Sequence, residues 1–207
     1  VTEVYFQNGS AYEGIRNDGH SGFESSNNIS HIELPGTMRY LGQGAFMALG
    51  GLQGFTLPDG VEYIGDFCFN MASIGFETLP GSLRYIGVNA CFNNNHTFSQ
   101  IPWGITHIMA DAFGLNNNLQ VAHFGHTEGQ EALAEENNLI TIGNNAFANS
   151  GRNITEIYIY NSIKGLGDKC FYEYGKAGTT LIVHDQSNLI NGENVGTFFG
   201  TRPVEFR

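Results

Sequence analysis

The sequence predicts a mostly β protein: a short solenoid of parallel strands with short helical turns and capped ends. Three observations carry that expectation. A short pattern recurs six times along the 207 residues, and a second mark, an apolar residue followed by Pro, precedes it at a fixed distance in the first four copies. The composition, 28 Gly with 14% charged and 13% aromatic residues, suits many turns around an apolar core. Gly weakens helix interiors, and disorder needs high charge with few aromatics.

The recurring pattern is an apolar residue, Gly, two or three polar or small residues, then a small residue and Phe. It runs Leu41-Gly42 to Ala45-Phe46, Ile64-Gly65 to Cys68-Phe69, Ile86-Gly87 to Phe92 with one extra residue, and Ile108-Met109 to Ala112-Phe113 without the Gly. Ile142-Gly143 to Ala146-Phe147 and Leu166-Gly167 to Cys170-Phe171 complete it, and Gly22-Phe23 is a frayed earlier copy. The second mark is Leu34-Pro35, Leu57-Pro58, Leu79-Pro80 and Ile101-Pro102, with successive spacings of 23, 22 and 22 residues. It decays to Phe124-Gly125 and Ile159-Tyr160. The period breaks once, where 34 residues separate Phe113 from Phe147.

Each copy is one coil. The segment before Pro is a strand, because its apolar residues two apart (Ile32 and Leu34, Phe55 and Leu57, Ile157 and Ile159) share one face. Pro ends it, since Pro donates no ladder hydrogen bond. A Gly or Asp-Gly turn follows, then a second extended piece (Arg39 to Leu41, Glu62 to Ile64, Arg84 to Ile86), the inward small-Phe pair and an Asn-rich closing turn. One coil cannot bury its apolar face alone; stacking does it. Phe46, Phe69, Phe113, Phe147 and Phe171 are expected to form one buried ladder.

The repeat L-x-x-I-x-L-P-x-x-V-x-x-I-G-x-x-A-F resembles the BspA-like, Treponema-type leucine-rich repeat, carried best by Leu52, Phe55, Leu57-Pro58, Val61, Ile64-Gly65 and Phe69. The resemblance implies a leucine-rich-repeat solenoid and a secreted or cell-surface protein of a microbe, some members being adhesins. It brings no shared catalytic residues. The expected layout is an N-terminal cap over 1–28, six to seven repeats of about 22–23 residues over 29–183 with an insert near 126–136, and a C-terminal cap over 184–207. The family's frequent Cys after Phe is absent. The chain opens on Val and shows no basic-then-apolar leader, as expected of a trimmed chain whose address lies outside it.

Charge narrows the function. Nine basic against 20 acidic residues give a formal charge of −11, which argues against nucleic acid and anionic membrane surfaces. No apolar run is long enough to span a bilayer. Catalytic signatures are missing: there is no G-x-S-x-G, Gly42-Gln43-Gly44 lacks a third Gly, and Gly175-Lys176 is followed by Ala177. The expectation is a non-enzyme, without cofactor or metal, acting as a monomeric module for an extracellular protein or glycan. The alternative is a structural spacer that displays another domain.

The remaining candidates are weighed against blander roles. Cys68 and Cys170 occupy the slot of Ala45, Ala90, Ala112 and Ala146 and behave there as small hydrophobes. Cys91 falls where the repeat slips by one, and a Cys68–Cys91 bridge stays open. His123, His126 and Glu128 have ligand chemistry, but a strand end plus loop explains them better. The acidic turn around Glu135-Glu136 is a solvated helix or a contact element. Residues just before the Leu/Ile marks (Glu33, Thr56, Thr78, Gln100, His123 and Tyr158) alternate with buried neighbours and should line the outer side of the sheet. Trp103, in the turn after Pro102, is an aromatic anchor beside them or packs across the insert. Phe76 and Phe98 precede polar Glu77 and Ser99; they are either core beside a local bulge or an outward contact pair. The partner-contact candidates are therefore Trp103, Gln100, His123, Tyr158, Phe76 and Phe98.

Overall fold

The computed structural model describes residues 3–5, 14–15, 23, 28–50, 52, 54–125 and 141–207. The insert at 126–136, with His126, Glu128 and Glu135-Glu136, lies outside the described residues. Among the described residues every strand pairing is parallel, and paired strands meet residue-for-residue.

The longest ladder is the second extended piece of each repeat. Its seven strands are β2 (Gly14–Ile15), β4 (Tyr40–Leu41), β5 (Tyr63–Ile64), β6 (Tyr85–Ile86), β7 (His107–Ile108), β9 (Thr141–Ile142) and β11 (Gly165–Leu166). Leu41, Ile64, Ile86, Ile108 and Ile142 all point into the core. β7 pairs directly with β9, so the stack closes across the insert. Gly after the apolar residue has a steric cause. A Cβ on Gly65, Gly87, Gly143 or Gly167 would come within 2.9, 2.5, 2.6 or 2.3 Å, respectively, of the preceding coil.

The segment before Pro forms strands only towards the ends. β1 (Glu3–Tyr5) pairs with β3 (His31–Glu33), and β8 (His123–Phe124), β10 (Glu156–Ile159), β12 (Leu181–Asp185) and β13 (Val204–Phe206) make a four-stranded sheet. Among the described residues, the segments leading to Leu57, Leu79 and Ile101 form no regular strand. Ahead of Leu79 the exchange between coils is mixed: backbone N–H groups of Asn95 and Thr97 still reach the Ile74 and Phe76 carbonyls, while side chains accept the N–H groups. The Asn94 Oδ1 accepts the Ile74 N–H at 3.1 Å, and the His96 Nδ1 accepts the Phe76 N–H at 2.9 Å. Where Pro follows, it opens a turn: Met38, Val61, Leu83 and Ile105 donate their N–H to the carbonyls of Pro35, Pro58, Pro80 and Pro102.

The third side of each coil is a run of turns. Phe46, Phe69, Phe113, Phe147 and Phe171 are all fully buried there, and Ala45, Cys68, Ala90, Ala112, Ala146 and Cys170 fill the small slot beside them. Phe23, Phe46 and Phe69 stack at centroid spacings of 5.7 and 5.1 Å. Phe113, Phe147, Phe171 and Phe199 stack at 5.6, 6.0 and 5.5 Å. The column thus runs into both terminal segments, where Phe199 ends helix α1 (Val195–Phe199).

The third coil does not slip. Phe69 donates its N–H to Ala90 and Cys91 donates to Ala112, which puts Cys91, not Phe92, in the Phe slot. His96 and the Phe76–Phe98 pair fill the space the smaller Cys91 leaves. Phe76 meets Phe69 edge-on at 5.3 Å, His96 stacks on Phe76 at 4.6 Å, and Phe98 meets Phe113 at 5.3 Å. All three cysteines are free and buried, with no Cys68–Cys91 bridge.

Turns close the coils at a steric cost. Each of six coils carries two residues four apart with φ between 51° and 62°: Gly44 and Ala48, Phe67 and Met71, Asn89 and Asn93, Asp111 and Leu115, Asn145 and Asn149, Lys169 and Glu173. Gly and Asn accept this left-handed conformation readily; other residues lose roughly 1–2 kcal/mol. Just beyond, the buried Asn94 and Asn116 tie coils together. The Asn116 amide donates to Cys91 and Phe113 carbonyls at 2.9 and 3.0 Å, and the Ser150 hydroxyl accepts the Asn116 N–H at 2.9 Å in the next coil. These hydrogen bonds satisfy polar groups that burial would otherwise penalise.

Candidate interaction surface

The outer face of the four-stranded sheet is a stacked stripe. Parallel register sets His123 beside Tyr158, and Tyr158 beside His184. Their rings stack at 4.6 and 4.3 Å, and Ile157 and Ile159 on the opposite face are buried. The His123 Nδ1 is 2.8 Å from the Tyr160 hydroxyl. The His184 Nε2 lies 2.5 Å from the Glu156 carboxylate. Hydrogen bonds from His184, then Tyr158, lower the pKa of Glu156, and the same carboxylate raises that of the Tyr158 hydroxyl. The rings are thus held rigid and in part open to solvent, which keeps the entropy lost on contact small.

A groove of about 360 Å³ lies one face away, around the turn after Pro102. Trp103 and Gln100 line it together with Thr78, Ser99 and Glu77. Trp103 is 41% exposed, and its packing across the insert concerns residues outside those described. The predicted candidates therefore fall into two groups, His123 with Tyr158 and Trp103 with Gln100. Glu33, Thr56, Thr78 and Gln100 are exposed as expected, but they do not share one sheet with His123 and Tyr158, because the middle coils carry no ladder there.

Phe76 and Phe98 are corrected. They are 2% and 1% exposed, whereas Glu77 and Ser99 point out. Filling the gap beside Cys91 decides the matter, and neither ring can anchor a partner.

Two features escaped the sequence reading. The long ladder carries its own outward stripe, Tyr40, Tyr63, Tyr85 and His107 in direct register, with Tyr63 and Tyr85 stacked at 4.6 Å. Burial, then the neighbouring Tyr63, raises the pKa of Tyr85. The signal was present: an aromatic residue precedes the apolar-Gly pair in three successive coils, and His does so in the fourth. Arg39 and Glu62 pair beside that stripe. The second feature is His96, fully buried, its pKa lowered to about 3 by burial, with no partner for its Nε2.

Among the described residues, no group of three or more His, Cys, Asp or Glu is placed to hold a metal ion. No helix among them is long and apolar enough to cross a membrane.

Parallel coils stacked on a Phe column, with exposed aromatic stripes, define a leucine-rich-repeat solenoid. The model of the BspA type leucine rich repeat region matches six copies, over residues 6–120 and 118–193, and the chain belongs to that family. A leucine-rich repeat protein from Bacteroides ovatus ATCC 8483 is similar in structure, with a TM-score of 0.60 at 20% identity. The match covers 98% of this chain and 56% of that one, so this chain spans little more than half of its structural neighbour. That likeness shows the fold. No curated protein matches. Membership of this family suggests a protein-interaction module.

Proposed function

We propose that the chain is the binding module of a secreted or cell-surface protein and holds an extracellular protein or glycan through its strand face and adjoining loops. The observation that supports this most is the His123–Tyr158–His184 stack, a rigid, part-exposed aromatic strip on a β scaffold. Rigid aromatic residues dominate contact energetics at protein interfaces. Trp103 and Gln100 supply a second contact point at the rim. The module works as a monomer, and its own charge of −11 directs it away from nucleic acid.

Capture from an extracellular-matrix extract tests this. The folded Trp103→Ala/Tyr158→Ala variant should lose at least about tenfold in affinity for what the wild type retains, about 1.4 kcal/mol. A wild type that captures nothing would make the chain a spacer displaying another domain. Unchanged affinity in the variant would move the contact elsewhere.

A further inference from the structure

We infer that the Trp103 groove is a subsite for a neutral saccharide; this rests on the binding-module reading and adds the ligand class. Trp103 sits at the second position of the Pro102–Ile105 turn, where the equivalent turns carry Gly36, Asp59 and Gly81. A Trp there leaves apolar surface in solvent, since the residue is 41% exposed. Its surroundings are mixed, with apolar Leu79, Ile101 and Pro102 beside four polar side chains. Glu77, Thr78, Ser99 and Gln100 line the groove, and among the described residues none of these four side chains makes a hydrogen bond within the protein. They offer a carboxylate acceptor, two hydroxyls and an amide. A pyranose presents the matching set: a ring of hydroxyls that both donate and accept, and an apolar C–H face for an indole.

Charge and size choose among ligands. Among the described residues, Glu77 is the one ionisable group lining the groove. Arg84, with its guanidinium on the Gly81 and Leu83 carbonyls and against Gly104, borders the groove. With one carboxylate inside, one guanidinium at its border and a net charge of −11 on the whole chain, the groove has no surplus of positive charge for sialylated, uronic or sulfated sugars. Its about 360 Å³ lies at the small end of ligand pockets, roughly 300–1,000 Å³.

Trp103 is the chain's single tryptophan, so its fluorescence reports on this groove alone. The intact chain is titrated with cellopentaose, maltopentaose and chitotetraose, and with sialyllactose and a heparin hexasaccharide as anionic controls. At least one neutral sugar should give a saturable change below about 10 mM, with the anionic sugars weaker. The Glu77→Gln/Gln100→Ala variant, which keeps the reporter, should weaken that sugar at least about tenfold. No saturable change with any neutral sugar, tighter binding of an anionic one, or an unaltered titration in the folded variant overturns the assignment. The strand face is read separately by matrix capture with Tyr158→Ala: capture that survives a failed sugar titration removes the groove and leaves the binding module standing.

Discussion

His96 should make the solenoid acid-sensitive. Its ring is buried between Phe76 and Phe98, and burial lowers its pKa from the ordinary 6.5 to about 3. The unfolded chain takes a proton on this ring below about pH 6.5, whereas the folded chain holds it neutral until about pH 3. The neutral, buried state therefore gives its full stability above pH 6.5, and that stability drains away as pH falls towards 3. At roughly 1.4 kcal/mol per pH unit once the unfolded form is protonated, moving from pH 7 to pH 5 should cost about 2 kcal/mol. The assay is urea unfolding at both pH values, for the wild type and for His96→Phe. The variant keeps a planar ring but loses the acceptor for the Phe76 N–H, so it starts less stable, by about 1–3 kcal/mol. It should nevertheless lose about 2 kcal/mol less than the wild type between pH 7 and 5. If His96→Phe fails to fold, His96→Gln, whose amide oxygen can still accept the Phe76 N–H, serves instead. Equal losses in wild type and variant would refute the reasoning.

Phe69→Ala should cost about 3–5 kcal/mol in chemical denaturation, because it opens a cavity in the stacked column; a loss below about 1 kcal/mol would show that the column is not core. Met71→Asn should stabilise the chain by up to about 1 kcal/mol, since Met71 is 54% exposed and held at φ 55° where Asn93 and Asn149 serve in other coils. Thermal unfolding checks it, and an unchanged or lower midpoint would contradict the steric account. Deleting residues 126–136 should leave a single cooperative transition, because β7 and β9 already pair across that segment and surface loops cost only closure entropy. Loss of cooperativity would make the segment part of the core.

The Phe column and the small slot beside it were legible because they recur at a fixed offset from Gly42, Gly65, Gly143 and Gly167, and a periodic pattern exposes its inward positions. The rest was hidden where side chains substitute for backbone. Nothing local tells that the Asn94 and His96 side chains take amide protons from the previous coil, and that exchange removes the expected middle strands. Cys91 looked displaced because Phe92 is the residue that matches by type, while the hydrogen-bond register that places Cys91 inward acts between coils. Phe76 and Phe98 followed from that vacancy. The contact surface was half legible: alternation located His123 and Tyr158, but their stack with His184 depends on a strand that runs across the expected end of the repeats at 183. The left-handed pairs were partly legible, as Asn89, Asn93, Asn145 and Asn149 announce them. Phe67, Met71 and Leu115 do not, since their type argues against that conformation.

The binding-module reading is tested most directly by hydroxyl-radical footprinting of the chain alone and with its captured partner. This labels exposed aromatic, His and Met side chains, and so compares two faces in one measurement. Protection should fall on His123, Tyr158 and His184, with Trp103 at the rim, while Phe67 and Met71 on the turn face stay labelled. Protection of Phe67 and Met71, with His123, Tyr158 and His184 labelled as in the free chain, would contradict it.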